Sequence, residues 1–155
     1  QMMEPEWLNE NCLITPHQKE FKQLFCHSER SEESQTRSFA NAQDDKEQVQ
    51  DDVMKMAQKY GCTILLKGET DIICSPKECK AVEGGNSGMT KGGTGDVLAG
   101  VAAALACKND LFLAACVGSF LNKKAGEELA KRVGFYFNAS DLCDQIPQTI
   151  RKYLP

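Results

Sequence analysis

A glycine-rich run that ends on a single carboxylate is the part of this 155-residue chain best suited to chemistry. It extends from Gly85 to Gly100 and leads directly into an apolar segment with helical character. Glycines let a ligand approach the main chain closely, and a helix N-terminus offers unpaired N–H groups to phosphate. Asp96 would lie in the first helical turn, where a carboxylate repels phosphate but can take a proton from a second substrate. The pattern therefore predicts phosphoryl transfer to a hydroxyl group.

The glycine-rich run also has a structural alternative, because residues 92–96 could form a simple turn with a capping Thr or Asp. Two further observations favour a ligand site: more glycines at 84–88, and Lys67-Gly68 at the end of a predicted strand. The run lacks the Gly-Lys-Ser/Thr of a Walker A loop, and it does not follow the Rossmann Gly-x-Gly-x-x-Gly pattern. A phosphate site of another type is therefore predicted.

His17 is the second candidate, because it follows Thr15-Pro16 at the end of a predicted strand. Ligands of open α/β sheets collect beyond the carboxyl ends of the strands, which favours a binding role for this histidine. The alternative is a capped or solvated loop histidine. Glu20, one turn later, has the same two interpretations, as substrate contact or as cap of the following helix. Lys67 either is solvated or lies near a nucleotide.

Apolar runs and periodic apolar residues predict alternating strands and helices. The strands are expected at 12–15, 62–66 and 71–75, and the helices at 19–25, 53–60, 97–107, 111–132 and 141–153. This order indicates an α/β sheet with at least some parallel pairing. Six charged residues of the fourth helix predict a solvated face without function: Lys123, Lys124, Glu127, Glu128, Lys131 and Arg132.

Residues 26–52 interrupt this pattern with an almost wholly polar sequence. Such a segment buries too little apolar surface to offset the entropy of ordering it. We expect a disordered or exposed insert within one domain that extends over residues 1–155.

Composition excludes several classes of function. A net charge of −4 and a pI of about 5.3 argue against nucleic acid or an anionic membrane as partner. The sequence holds neither an apolar run of the ~20 residues that cross a bilayer nor an apolar leader, so a cytoplasmic protein is expected. The eight cysteines form no Cys-x-x-Cys pair, and Cys74 and Cys79 are poorly spaced for zinc. Neither a metal site nor disulfides are expected, and the thiols should be buried or idle.

Three segments taken together resemble one family. They are Thr15-Pro16-His17-x-x-Glu20-Phe21, Leu66-Lys67-Gly68 and Gly85-Asn86-x-Gly88-Met89-x-x-Gly92-Gly93-Thr94-Gly95-Asp96. The chain is similar in these segments to the ADP- or ATP-dependent NAD(P)H-hydrate dehydratases, and Ala139–Leu142 resembles the closing segment of that family. The likeness covers residues 5–25 and 53–150. The third segment is more specific than the short Gly-x-Gly-Asp that sugar kinases share with it.

The resemblance implies a ribokinase-like three-layer α/β/α sandwich with a mostly parallel sheet, of which this chain holds only the C-terminal half. It implies that ADP or ATP, with Mg²⁺, phosphorylates the hydroxyl of hydrated NADH or NADPH (NADHX, NADPHX), after which phosphate leaves. Asp96 matches the catalytic base and, with His17, contacts the hydrate. The residues matching the nucleotide site are Lys67, Gly68, Glu69, Thr70, Asp71, Thr94 and Gly95. Supporting roles fall to Glu20, Asn86, Gly92 and Gly93.

The resemblance also has departures. The family commonly carries Thr at the position of Asp71, and an extra carboxylate near phosphates should weaken nucleotide binding. The strands of the N-terminal half are expected to be missing, which would leave the strand near 12–15 unpaired. Two alternatives therefore stay open: a ribokinase-like small-molecule kinase, and a non-catalytic truncated remnant that binds adenine nucleotide weakly. Assembly into a homo-oligomer also stays open.

Overall fold

The computed structural model of this protein describes residues 5–26 and 44–153. Within them one sheet runs in the order β1-β2-β3-β4, with β1 at Leu13–Ile14, β2 at Thr63–Leu66, β3 at Asp71–Cys74 and β4 at Cys79–Val82. β1 pairs parallel with β2, and β2 pairs antiparallel with β3. The first three strands confirm the sequence prediction, whereas β4 was not predicted. The sheet is mixed: the expected parallel pairing is confirmed between β1 and β2, whereas β2 and β3 form an antiparallel hairpin.

Five helices accompany the sheet in the described residues. They are α1 at Gln18–Cys26, α2 at Asp44–Tyr60, α3 at Thr94–Ala106, α4 at Leu111–Val133 and α5 at Ala139–Tyr153. All five predicted helices are confirmed, with ends that differ by a few residues except at the start of α2. Asp110 caps α4, because its carboxylate accepts a hydrogen bond of 3.0 Å from the Leu113 N–H.

The predicted polar insert is shorter than expected. Cys26 still belongs to α1, and residues 44–52 form the first turns of α2. The reason is Val49, which packs against the same apolar cluster as Val53 one turn later and so extends the apolar stripe of the helix backwards. The remainder of the predicted insert, residues 27–43, lies outside the described residues.

The chain divides into two compact units. The first comprises Gln1–Gly68 and Ile72–Lys80, and the second comprises Glu69–Asp71 and Ala81–Pro155. The core of the first unit joins α1 and α2 to one face of β2 and β3. It contains the buried residues Leu8, Phe25, Val53, Ala57, Cys62, Ile64, Leu66, Ile72 and Cys74. Burial raises the pKa of the Cys62 thiol to about 11, so this cysteine behaves as a small apolar side chain.

A disulfide joins Cys74 and Cys79 in the first unit, which corrects the expectation that no disulfide forms. The two cysteines lie at the end of β3 and the start of β4, and the turn between them is closed by a hydrogen bond from the Ser75 N–H to the Glu78 carbonyl. This turn brings the two side chains together. Among the free cysteines, Cys62 is buried as expected, whereas Cys107 and Cys143 are exposed.

The second unit is built on α3, α4 and α5. Its core contains Val97, Ala125, Leu129, Phe137, Leu142 and Ile146. Gly118 lets α4 approach α3 closely, because a Cβ at this position would lie 3.2 Å from the Ala102 backbone. Asn138 caps α5, since its side-chain oxygen accepts hydrogen bonds from the N–H groups of Ser140 and Asp141. No helix in the described ranges is long and apolar enough to span a membrane.

Candidate active site

The glycine-rich run of the second unit is a loop with left-handed backbone at its entry and exit. Gly84 and Gly85 have φ of 115° and 80°, and Gly93 has φ of 88° immediately before α3. These conformations are strained for residues with a side chain, which explains the glycines. Asn86 begins a short 3₁₀ turn, because its side-chain oxygen accepts a 2.9 Å hydrogen bond from the Gly88 N–H.

Side chains tie this loop to the helices around it. The Asn86 amide donates a 2.8 Å hydrogen bond to the Gly126 carbonyl of α4. The Lys91 ammonium donates to the Phe137 carbonyl at 2.7 Å and to the Phe135 carbonyl. The Thr94 hydroxyl is turned inward, since it donates to the Met89 carbonyl at 2.6 Å. Lys91 and the Thr94 hydroxyl therefore hold the loop in place, which leaves its main chain to meet a ligand.

The end of the loop presents main-chain donors at the start of α3. The N–H groups of Gly92, Gly93 and Gly95 have no acceptor among the described residues. A Cβ at Gly92 would meet nothing within 4 Å, so this part of the loop has open space beside it. Unpaired amides and the positive end of the helix dipole together favour an anion.

Asp96 follows these amides in the first turn of α3, as the sequence predicted. Its side chain is exposed, and its carboxylate makes no hydrogen bond or ion pair with any described residue. A carboxylate with unused acceptor positions can accept a proton from a hydroxyl group that binds beside it. This corner of the second unit thus offers anion donors and a base within one helical turn.

The segment Glu69–Asp71 is held to α4 in the same unit. Asp71 is buried, and its carboxylate accepts a 2.7 Å hydrogen bond from the Ser119 hydroxyl and lies 3.4 Å from the Lys123 ammonium. A buried lysine therefore balances the charge of this carboxylate. The expected weakening of nucleotide binding by Asp71 stays a prediction.

Lys123 was predicted to lie on a solvated helix face, and this is wrong. Its side chain is 7% exposed, and its ammonium also donates to the carbonyls of Glu69 at 3.0 Å and Gly84 at 3.3 Å. Lys131 and Arg132 are exposed as expected. Helical periodicity alone did not identify Lys123 as buried, because charged residues surround it in the sequence.

Glu127 connects α4 to the entry of the glycine-rich loop. Its carboxylate accepts hydrogen bonds from the Gly85 N–H at 3.1 Å and from the Lys124 ammonium at 2.8 Å. Burial alone would raise the pKa of the Glu127 carboxyl, but these two hydrogen bonds outweigh it and lower the pKa below its ordinary value. Glu127 is therefore a charged anchor of the loop at neutral pH.

In the first unit the structure brings His17, Glu20 and Lys67 together at the adjacent ends of β1 and β2. His17 pairs with Lys67 in a parallel bridge, and the Lys67 ammonium lies 3.8 Å from the Glu20 carboxylate. His17 and Glu20 form a reciprocal cap of α1. The His17 N–H donates to Glu20 at 2.7 Å, and the Glu20 N–H donates to His17 Nδ1 at 3.0 Å.

Glu20 faces both nitrogens of the imidazole. Nδ1 accepts the Glu20 N–H, and Nε2 lies 3.5 Å from the Glu20 carboxylate, while the His17 side chain is 52% exposed. The hydrogen bond from the His17 N–H lowers the pKa of the Glu20 carboxyl below its ordinary value, burial opposes this, and Lys67 adds to the lowering. The capping alternative is thus confirmed for both residues, while a substrate role for Nε2 stays a prediction.

The described residues contain no group of three or more His, Cys, Asp or Glu side chains placed to hold a metal ion. Asp96 is an exposed carboxylate beside the unpaired N–H groups at the start of α3.

Comparison with known proteins identifies the family. Residues 3–148 match the Carb_kinase family, described as NAD(P)H-hydrate dehydratase. The chain is 39% identical over 142 residues to the bifunctional NAD(P)H-hydrate repair enzyme Nnr of Archaeoglobus fulgidus, covering 92% of this chain and 26% of that protein. It is 36% identical over 144 residues to the ADP-dependent (S)-NAD(P)H-hydrate dehydratase of Cenarchaeum symbiosum, covering 92% and 46% of the two chains.

A solved structure gives the same fold. It is the ADP/ATP-dependent NAD(P)H-hydrate dehydratase of Bacillus subtilis, co-crystallized with ATP/Mg²⁺, with a TM-score of 0.72 at 23% identity over 90% of this chain and 47% of that one. The expected ribokinase-like α/β fold is confirmed. The chain spans about a quarter to a half of the length of these proteins. It belongs to the NAD(P)H-hydrate dehydratase family.

Proposed function

We propose that this chain carries the nucleotide site and the base of an NAD(P)H-hydrate dehydratase, which repairs NADHX and NADPHX at the expense of ADP or ATP. The observation that supports this best is the start of α3. There, N–H groups without acceptors in the described chain and an exposed, unpaired Asp96 carboxylate lie within one helical turn. An anion site beside a free base suits phosphoryl transfer to a hydroxyl group better than simple nucleotide binding.

In the proposed reaction Asp96 takes the proton from the hydroxyl group of the hydrated nicotinamide ring. The oxygen then forms a bond to the terminal phosphorus of ADP or ATP, and AMP or ADP leaves. In the second step the carbon–oxygen bond breaks and phosphate departs with the bonding electrons. The neighbouring ring carbon loses a proton, which restores the double bond of NADH or NADPH.

The Gly95 amide would hold the terminal phosphoryl group while negative charge spreads over its oxygens. The Thr94 amide, which donates to the Lys91 carbonyl at 3.4 Å, would join it. Gly92 and Gly93 would support them with further N–H groups. Mg²⁺, where it accompanies the nucleotide, supplies positive charge that neutralises the phosphates. Asn86 acts indirectly in this proposal, because its two hydrogen bonds shape the loop.

The remaining assignments are proposed on the family resemblance and on exposure. His17 would contact the hydrate with its half-exposed imidazole ring, which Glu20 contacts at both nitrogens. The family resemblance assigns nucleotide contacts to Lys67, Gly68, Glu69, Thr70 and Asp71, mainly through main-chain groups in the case of Asp71. The cytoplasmic location, the homo-oligomer and the absence of a nucleic-acid partner remain predictions.

Replacement of Asp96 by asparagine tests the proposal. The variant keeps the size of the side chain but removes the base, so we expect dehydration to slow by about 10²–10⁴-fold. ADP and ATP should bind as tightly as to the unchanged chain or slightly more tightly, because a negative charge beside the phosphates is gone. Recovery of NADH absorbance from its hydrate measures the first quantity, and calorimetric titration with each nucleotide the second.

Asp144→Asn is the matched control, since Asp144 is an exposed carboxylate of α5 outside the site. It should change neither rate nor affinity. Equal dehydration by the Asp96 variant would remove this carboxylate from the mechanism.

Nucleotide binding without turnover is the second candidate, because the chain spans only 26% and 46% of the two relatives' lengths. The same titrations separate the two: this candidate predicts binding of ADP or ATP without recovery of NADH. Transfer of phosphate to a sugar or vitamin precursor, with no recovery of NADH, would instead identify a small-molecule kinase.

A further inference from the structure

The Lys123 ammonium binds groups from two separate stretches of chain in the second unit. It donates to the Glu69 carbonyl at 3.0 Å and to the Gly84 carbonyl at 3.3 Å, and it lies 3.4 Å from the Asp71 carboxylate. A lysine ammonium has three donor positions and no acceptor. Each of these three partners can take one donor position, and the side chains of Lys123 and Asp71 are 7% and 6% exposed.

We propose that Lys123 is a positioning residue of the nucleotide site, one that fixes the segment Glu69–Asp71 against the entry of the glycine-rich loop. The inference rests on the proposed function, in which both segments serve the nucleotide. One ammonium that holds a carbonyl from each segment sets the distance between them. Ser119 completes the arrangement, because its 2.7 Å hydrogen bond orients the other oxygen of Asp71.

The main-chain partners distinguish this role from that of an ordinary buried ion pair. A lysine that only balances the charge of a buried carboxylate needs no other partner. Apolar side chains of similar volume often replace such an ion pair without loss of stability. Lys123 in addition binds two loop carbonyls that no other described side chain bonds. If both charges are removed, the electrostatic penalty disappears, but the two carbonyls lose their shared donor.

The experiment compares Lys123→Met with the double variant Asp71→Asn/Lys123→Met in the full chain. We expect Lys123→Met to lower stability in urea and to weaken ADP and ATP binding on the order of tenfold or more, because small displacements of binding groups are costly. The double variant should regain much of the stability but not the affinity. Lys131→Met, at an exposed lysine of the same helix, is the matched control and should change neither quantity.

Lys123→Arg supplies a second test should Lys123→Met fail to fold. It keeps the charge beside Asp71, but the flat guanidinium fork does not reproduce the compact ammonium, so stability should be largely kept while nucleotide affinity falls. Where turnover is measurable, the KM for nucleotide should rise more than kcat falls.

Each outcome decides the inference. Unchanged affinity in folded Lys123→Met or Lys123→Arg, or affinity restored together with stability in the double variant, assigns Lys123 a structural role only and overturns the inference. The proposed function would survive either result, because the unchanged chain still binds nucleotide. An unchanged chain that binds neither ADP nor ATP would overturn both.

Discussion

Each unit of the molecule contains a lysine beside a carboxylate, and the two pairs differ in every respect that matters. In the first unit Lys67 lies 3.8 Å from Glu20, and their side chains are 26% and 51% exposed. In the second unit Lys123 lies 3.4 Å from Asp71, and both are almost completely buried. Water can replace the partner of an exposed charge, whereas a buried charge has only the groups that the fold provides.

The comparison shows which groups are available for ligands. The exposed cluster of the first unit caps a helix, and its His17 and Glu20 side chains stay about half exposed. The buried cluster of the second unit uses Ser119, Lys123 and Asp71 to satisfy one another and two carbonyls. The first arrangement can meet a substrate directly, and the second can act only through the segments that it holds.

The sharpest test of this difference removes one lysine from each pair. We expect Lys123→Met to lower the free energy of unfolding by about 3–5 kcal/mol, because it leaves the Asp71 carboxylate buried without its cation. Lys67→Met should cost about 0–1 kcal/mol, since solvent screens that pair. Urea unfolding followed by circular dichroism measures both values. Comparable losses in the two variants would contradict the distinction.

The helix cap gives an effect of intermediate size. Glu20→Ala removes the acceptor of the His17 N–H, and His17→Ala removes the acceptor of the Glu20 N–H. Each should lower the free energy of unfolding by about 0.5–2 kcal/mol, the usual cost of a lost N-cap. Gln18→Ala, at the exposed start of the same helix, is the control. Losses of 3 kcal/mol or more, as from an uncompensated buried charge, would mean that the cluster is not open to water.

The smallest expected effect is the pH dependence of the stability that Glu20 contributes. The hydrogen bond from the His17 N–H holds the pKa of the folded Glu20 carboxyl below its ordinary value of 4.5. A lowered folded pKa contributes stability that is present above the unfolded value and is lost as pH falls through the folded one. The stability difference between the unchanged chain and Glu20→Gln should therefore shrink as pH drops below 4.5. A difference that stays constant over that range would refute the assignment.

Much of the architecture followed from the sequence because apolar patterns report burial directly. The runs at Cys62–Leu66 and Asp71–Ser75 predicted β2 and β3, and the glycines before Asp96 predicted a loop opening into α3. β4 was not predicted, because Cys79–Val82 has one buried residue among four and no clear alternation of apolar and polar residues. The disulfide was not predicted either, because its two sulfur atoms meet only through the turn between β3 and β4.

The sequence predicted the main-chain part of the candidate site, but it did not predict the buried side chains that hold this part in place. Glycine spacing reveals where a backbone must turn, so the loop and the position of Asp96 could be inferred from the sequence. The burial of Lys123 could not, because a charged side chain in a charged stretch of helix looks solvated until its partners are known. Asp71 was the one residue in the sequence that indicated a buried cation. An acidic residue beside two apolar ones at the start of a predicted strand needs a buried cation if its side chain faces inward.

The anchoring of the glycine-rich loop by Asn86, Lys91 and Thr94 has a kinetic consequence. A loop whose hydrogen bonds are already made before the phosphate arrives has little backbone freedom left to lose on complex formation. The observed rate constant for nucleotide association should then rise in proportion to nucleotide concentration without reaching a plateau, since no slow rearrangement of this loop precedes or follows the encounter.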